Sequence, residues 1–208
     1  MRLTWRVVRF EAALWRSLFL LLIGRRDGVE AGSRVFSYHR AVTPVWLTLV
    51  AVSAVEVVAV HVMTPWASLR LALLVVGVWG LLLLLGLWAS YVVRPYVVGD
   101  SGVRLRHGTA RDLRLRFDEL ASVAPATVRA WDAGGLGAAV AVDARRLAYV
   151  VGGETRIVLT LAAPRTVPAG RGRWAEVDEI HIGADDPDAL LAALRSGLTP
   201  PVATDLPS

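Results

Sequence analysis

The stretch from Pro44 to Val93 constrains this chain more than any other. It reads PVWLTLVAVSAVEVVAVHVM, then TPWASLR, then LALLVVGVWGLLLLLGLWASYVV. Val45–Met63 has 19 residues with one acid, Glu56, and Leu71–Val93 has 23 with no charge. About 20 apolar residues cross a hydrocarbon core of about 30 Å. A bilayer offers the backbone no hydrogen-bond partner, so each segment must be a helix. Residues 44–93 therefore predict a hairpin of two transmembrane helices, 45–63 and 71–93, joined by a loop at 64–70.

The chain's 208 residues leave room for this hairpin and one modest soluble domain. It has no Cys, which excludes disulfides, thiolate metal sites and a Cys nucleophile. It also has no Lys, so all 23 basic residues are Arg. The net charge of +5 is unevenly placed: residues 1–43 carry eight Arg against Glu11, Asp27 and Glu30, while fourteen Arg and fourteen acids cancel over 94–208. Nucleic-acid binding needs a basic domain face, so the balanced soluble part argues against it. A basic arm instead suits an anionic leaflet.

Arg25, Arg26, Arg34, Arg40, Arg94, Arg104 and Arg106 flank the hairpin, whereas its loop carries only Arg70. The positive-inside rule then predicts a multi-pass protein of the cell membrane with both termini cytoplasmic. Residues 1–23 read as an interfacial amphipathic helix, with Arg2, Arg6, Arg9 and Arg16 on one broad face and Trp5, Phe10, Leu14 and Leu18 on another. A helix packed on the soluble domain or on a partner is the other reading. Residues 24–43 read as a Gly- and Arg-rich linker.

After Val93 the period changes from helical to alternating. Strands are predicted at Tyr96–Val98, 103–107, 113–117, 123–130, 139–143, 147–151, 156–162 and 177–182. Gly152 and Gly153 suit a two-residue hairpin turn. Residues 134–137 (GGLG) and 164–173 read as loops. Asp185 or Asp186 caps a last helix that begins at Pro187 and has Leu190, Leu191 and Leu194 on its apolar face. This makes 94–198 an α+β soluble domain, followed by a disordered Pro-rich tail at 199–208.

Short strands followed by one amphipathic helix is the element order of a pleckstrin-homology-like (PH-like) small β-barrel. The run VVGDSGVRLRHGTARDLRLRFDELASV resembles the opening of bacterial PH-like domains, with Gly102, Val103, Leu105 and Gly108 in the hairpin and Phe117, Leu120 and Val123 in the turn after it. The alternating stretch 139–162 fits another small barrel as well. With VTPVW, the AVE and VH elements of the first span, and the closing DDPDALLA, the chain resembles a family of uncharacterised actinobacterial integral membrane proteins. That resemblance covers most of 8–196 and implies a fold and a membrane location, but no activity.

Glu56 is the costliest residue in the hairpin, because a carboxylate at mid-bilayer is expensive. It calls for a proton or cation site, for a polar contact with a partner helix, or for a hydrogen bond that glues the bundle. Gly77 and Gly80 lie near the same depth and would let the helices approach closely. His61 is about 140° round the helix from Glu56, which leaves a Glu–His pair open only between subunits. Gly86 and Ser90 form one small-xxx-small pair, a dimerisation signal.

Arg104, Arg106, Arg111, Arg114 and Arg116 form a second cluster on a predicted hairpin, read as a lipid- or partner-binding face or as an ordinary solvated strand face. No HExxH, GxSxG, GxxxxGK[ST] or dinucleotide-binding motif occurs. His107 and His181 read as ordinary strand residues, and neither a metal nor a cofactor is expected. The expected function is non-enzymatic: a membrane-tethered interaction or assembly module for a protein partner, which could be another membrane protein or a second copy, or for anionic lipid headgroups. The alternative is a small subunit of an ion- or proton-coupled transport system that uses Glu56.

Overall fold

The structure is a computed structural model that describes residues 2–30, 32–109, 111–129, 138–143, 145–170 and 173–198. The loop expected at 134–137 and the tail from 199 lie outside the described residues.

Two helices form the hairpin. α2 (Thr43–Met63) starts with Pro44 in its first turn, where the missing N–H costs nothing, and α3 (Ala67–Val93) returns beside it. Both are long and apolar enough to cross a membrane. The connection is only Thr64–Trp66, because the helix begins before the expected Leu71 and Arg70 N already donates to Trp66 O at 2.8 Å. Gly77 is where the helices meet closely: a Cβ there would come 2.7 Å from Val57 Cγ2. A Cβ on Gly80 would meet nothing within 4 Å, so only one of the two expected glycine contacts forms.

The domain-side ends of both helices are embedded in protein. Trp46, Gly86, Ala89, Ser90 and Val93 are buried. Leu49 and Leu84 still pack against the core, which leaves Val50–Met63 on α2 and Ala67–Leu83 on α3 beyond it, each roughly 20–25 Å long at 1.5 Å per residue.

α1 (Arg2–Leu22) packs on that end of α3 and not on the sheets. Leu14 sits against Gly86, whose added Cβ would be 3.0 Å from Leu14 Cβ, and the buried Ser17 accepts from Arg94 Nη1 at 2.8 Å. The Gly86/Ser90 pair is therefore occupied within the chain: Gly86 seats Leu14, and Ser90 lies against Gly108. Trp5, Phe10, Trp15 and Phe19 remain 41–64% exposed on α1.

The soluble part is two antiparallel-rich sheets and a helix. The first sheet has the order β1 (Arg34–Phe36), β2 (Tyr96–Gly99), β3 (Gly102–His107) and β4 (Arg111–Arg116), all antiparallel. After a 3-10 turn at Phe117–Glu119 comes the second sheet: β5 (Leu120–Arg129), β6 (Ala138–Asp143), β7 (Arg146–Val151), β8 (Glu154–Gly170) and β9 (Arg173–Ile182), in the order β5-β8-β9-β7-β6. The β7–β9 pair is parallel, and Gly152 and Gly153 take φ +67° and +85° in the β7–β8 turn. No closed barrel forms among the described residues; the expected single barrel is replaced by two sheets that share a core.

The expected linker at 24–43 is part of the fold. Its residues 34–36 form β1, with Val35 opposite Val97, and its Tyr38 is fully buried. The expected loop at 164–173 is instead mostly strand. Beyond Leu161, β8 pairs with β9 alone, so one edge is free and prolines are tolerated. Pro164 falls in the register break between Thr160 and Arg165.

α4 (Pro187–Leu198) closes the core with Leu190, Leu191 and Leu194. Asp186 is its cap, accepting from Ala189 N at 3.0 Å, while Asp185 accepts from Arg40 N. The end of the β3–β4 hairpin is tight, since a Cβ on Gly102 would lie 2.1 Å from Leu115 O and 2.8 Å from Arg116 Cα. Both neighbours are backbone and cannot swing away. Gly102→Ala should destabilise the domain by about 1–3 kcal/mol. Gly99→Ala, whose Cβ would meet nothing within 4 Å, should not, and thermal unfolding followed by Trp fluorescence separates the two.

Candidate functional site

Six aromatic rings join the helices to both sheets. Tyr38 stacks on Tyr96 with centroids 4.5 Å apart and lies 6.1 Å from His107, which in turn is 5.7 Å from Tyr149 on β7. Tyr91 of α3 meets His107 edge-on at 5.4 Å, and Trp46 of α2 lies 6.0 Å from Tyr91. Tyr38 Oη accepts from Gly108 N at 2.9 Å. Burial pushes the phenols of Tyr38 and Tyr96 well up, and that of Tyr149 up to about 12. These three phenols therefore stay uncharged at physiological pH, and the column serves as packing. His107 belongs to it, although alternation alone marks the residue only as inward-facing.

A second junction is ionic. Asp27 takes Arg16 at 2.8 Å and Arg94 at 3.1 Å, while its backbone N donates to Val93 O at 2.8 Å. Burial pulls the Arg94 guanidinium down and Asp27 pushes it back up. Arg106, 2% exposed, extends across β3 and donates to Asp27 O at 2.5 Å and to Gly28 O at 2.8 Å. It clamps the segment after α1 onto the first sheet.

Of the five arginines expected to form one binding face, Arg104, Arg106, Arg114 and Arg116 share one side of the β3–β4 hairpin and Arg111 lies on the other, and most of the four are engaged within the chain. Arg106 is buried as a clamp. Arg104 forms a bidentate pair with Asp112, Nε donating at 2.8 Å, and that hydrogen bond holds the Asp112 carboxyl below its ordinary range. Arg116 pairs with Asp118. Arg111 opposes His107, placing it on the core side of the hairpin with Leu113 and Leu115. Its spacing of two from Leu113 already implied this. Of these five, Arg114 is the exposed one without an ion pair among the described residues; its carbonyl accepts from Arg165.

A groove of about 170 Å³ lies between residues 28–33 and strands β2–β4, with Glu30, Ser33, Val97, Arg104, Arg114 and Arg116 in its walls. A second hollow, about 260 Å³, includes Tyr38, Arg40, Glu154, Arg156 and Asp185. Arg156 pairs there with Glu154 at 2.6 Å, and the Asp185 carboxylate accepts the backbone N–H of Arg40 at 3.0 Å.

His181 is buried, with Nε2 3.1 Å from Glu179 Oε2, and Arg146 pairs with the same carboxylate at 3.0 Å. Read from the sequence as an ordinary strand residue, His181 has a carboxylate partner at a spacing of two, which in a strand is the same face. No metal-binding group of His, Asp and Glu occurs among the described residues. Glu56 stands on the outer side of α2, turned away from α3, since its neighbour Val57 is the residue that enters the Gly77 contact. His61 is half-buried one turn beyond. No protein-family model, curated protein or solved structure matches the chain, so the site is read from its own geometry.

Proposed function

We propose that this chain is a non-enzymatic, membrane-anchored assembly module that holds an acidic segment of a protein partner in the groove over the first sheet. The hairpin crosses the cell membrane, both termini are cytoplasmic, and the α+β domain is a PH-like fold opened into two sheets. The observation that carries the reading is the groove itself, with the exposed Arg114 guanidinium between Arg104 and Arg116, set in a domain that aromatic stacking fixes against the hairpin. A carboxylate entering the groove would meet Arg114 without first displacing an internal partner. A headgroup-binding surface has less support, because Arg104, Arg106 and Arg116 are already engaged within the chain.

The transport alternative also has less support. Glu56, His61 and Arg70 are the ionisable side chains between Val45 and Trp88, and Glu56 faces away from the helix pair instead of lining a path through it. A photo-crosslinking residue at Ser101 tests the groove in intact cells. A discrete protein adduct is expected, and Arg114→Glu should reduce it about tenfold, as loss of one charge-assisted contact would. Adducts to lipid alone, or a protein adduct unchanged by Arg114→Glu, would overturn the reading.

A further inference from the structure

A hydrocarbon core of about 30 Å takes about 20 helical residues. Val50–Met63 and Ala67–Leu83 are the parts of the hairpin beyond the protein core, and each is shorter than that. A bilayer around the hairpin must therefore reach back along both helices, beside the domain. Counted from the Thr64–Trp66 turn, about 20 residues end near Pro44 on α2 and near Gly86 on α3. Leu14 sits on Gly86, so α1 meets α3 at the boundary of the apolar layer.

Two kinds of side chain are left open at this level. Trp5, Val8, Trp15, Phe19 and Leu22 recur every three or four residues along α1 and are exposed, while Leu14 and Ser17 take the contact with α3 and Arg94. The others are cations. Arg25 and Arg26 precede Asp27, whose backbone N bonds Val93 O at the end of α3, and Arg40 lies four residues before Pro44. All three arginines are exposed, and none has an ion pair among the described residues. The nearby acids are engaged: Asp27 takes Arg16 and Arg94, and Asp185 takes the backbone N–H of Arg40. Burial pulls the His39 imidazole down, Asp185 pushes it back up, and Arg40 and Arg26 pull it down again, so two of the three guanidiniums bear on one side chain.

We infer that the base of the hairpin is a binding surface for anionic phospholipid, with the outward stripe of α1 among the lipid chains and Arg25, Arg26 and Arg40 on the phosphates. The depth of the Leu14–Gly86 contact supplies the occupant, because the apolar layer that must surround α3 there also reaches α1. Tryptophan suits that boundary, where its ring is apolar and its N–H wet. Guanidinium groups bind phosphate oxygens through paired N–H donors, and their long stems reach from the boundary to the headgroups. A second copy is the poorer occupant, since a symmetric pair would set the same unpaired arginines against each other. The inference rests on the hairpin crossing the bilayer. It is independent of the groove, whose arginines belong to the first sheet.

The absence of Cys makes the test direct. The full chain carrying a fluorophore at Phe19→Cys is placed in vesicles of phosphatidylglycerol and phosphatidylcholine whose acyl chains bear nitroxide quenchers. The probe should be quenched there, and the same probe at Ser101→Cys on the first sheet should not. In detergent with equal amounts of the two lipids, the purified chain should retain phosphatidylglycerol over phosphatidylcholine, as counted by mass spectrometry. Arg40→Gln should lower that preference about fivefold, the worth of one basic residue at an anionic surface, while Arg34→Gln on β1 should leave it unchanged. An unquenched Phe19→Cys probe, a preference indifferent to Arg40→Gln, or spin labels at Phe19→Cys that couple copy to copy would each overturn the lipid surface. Trp66→Cys, labelled in intact cells by a membrane-impermeant thiol reagent, checks the span separately. A turn that resists labelling would sink the spanning hairpin itself, whereas a labelled turn with an unquenched Phe19→Cys probe would sink only the lipid surface.

Discussion

Tyr38→Ala should lower the stability of the chain by about 4 kcal/mol, within the range for emptying an aromatic core position. Tyr38 is fully buried, stacks on Tyr96, lies over His107 and accepts the Gly108 N–H. Removing the ring opens a cavity where α3, β2 and β3 meet. Tyr38→Phe keeps the ring but strands the Gly108 donor, and should cost about 1–2 kcal/mol. Thermal unfolding in detergent distinguishes the two variants. If Tyr38→Ala unfolds like the parent chain, the aromatic column is not what binds the domain to the hairpin.

Arg106→Ala is expected to cost about 3 kcal/mol, because hydrogen bonds from a charged donor are worth roughly 1.5–3 kcal/mol each and two are lost. The effect should also be local. Without the guanidinium, the backbone at Asp27 and Gly28 loses its hold on β3, and the neighbouring peptide bonds after Arg25 and Arg26 become easier for trypsin to reach. Arg114→Ala, one strand away and exposed, should leave that cleavage unchanged. Equal protection in both variants would mean that Arg16, Arg94 and the backbone bond to Val93 suffice to hold Asp27.

The hairpin was legible because each helix carries its signal continuously along the chain. The strands from Tyr96 to Val151 were legible for a related reason: alternation is local, and the two glycines at 152–153 mark their turn. What escaped was every feature made by distant pairing. Nothing local in RVF tells that Val35 will oppose Val97, so the segment before the hairpin read as linker. Pro164 and Pro168 read as loop because the free edge that tolerates them belongs to the sheet and not to the sequence. Within the arginine cluster, alternation separates Arg111 from Arg114, and only tertiary contact ties Arg106 to Asp27 and Gly28. Glu56 was singled out by its chemistry; that it faces away from α3 depends on how Val57 and Gly77 set the rotation of the helix.

The placement of β1 imposes an order on biogenesis. β1 is synthesised before the hairpin, and its only ladder partner among the described residues, β2, is synthesised after it. The first sheet thus closes across the whole hairpin, with Phe36 opposite Tyr96. That pairing bears the entropy of bringing together two segments so far apart along the chain. A folded hairpin removes most of that cost by returning the chain to where it started. The β-sheet domain can therefore complete itself only once both helices are made and packed together, which makes a finished first sheet a report that the hairpin has closed.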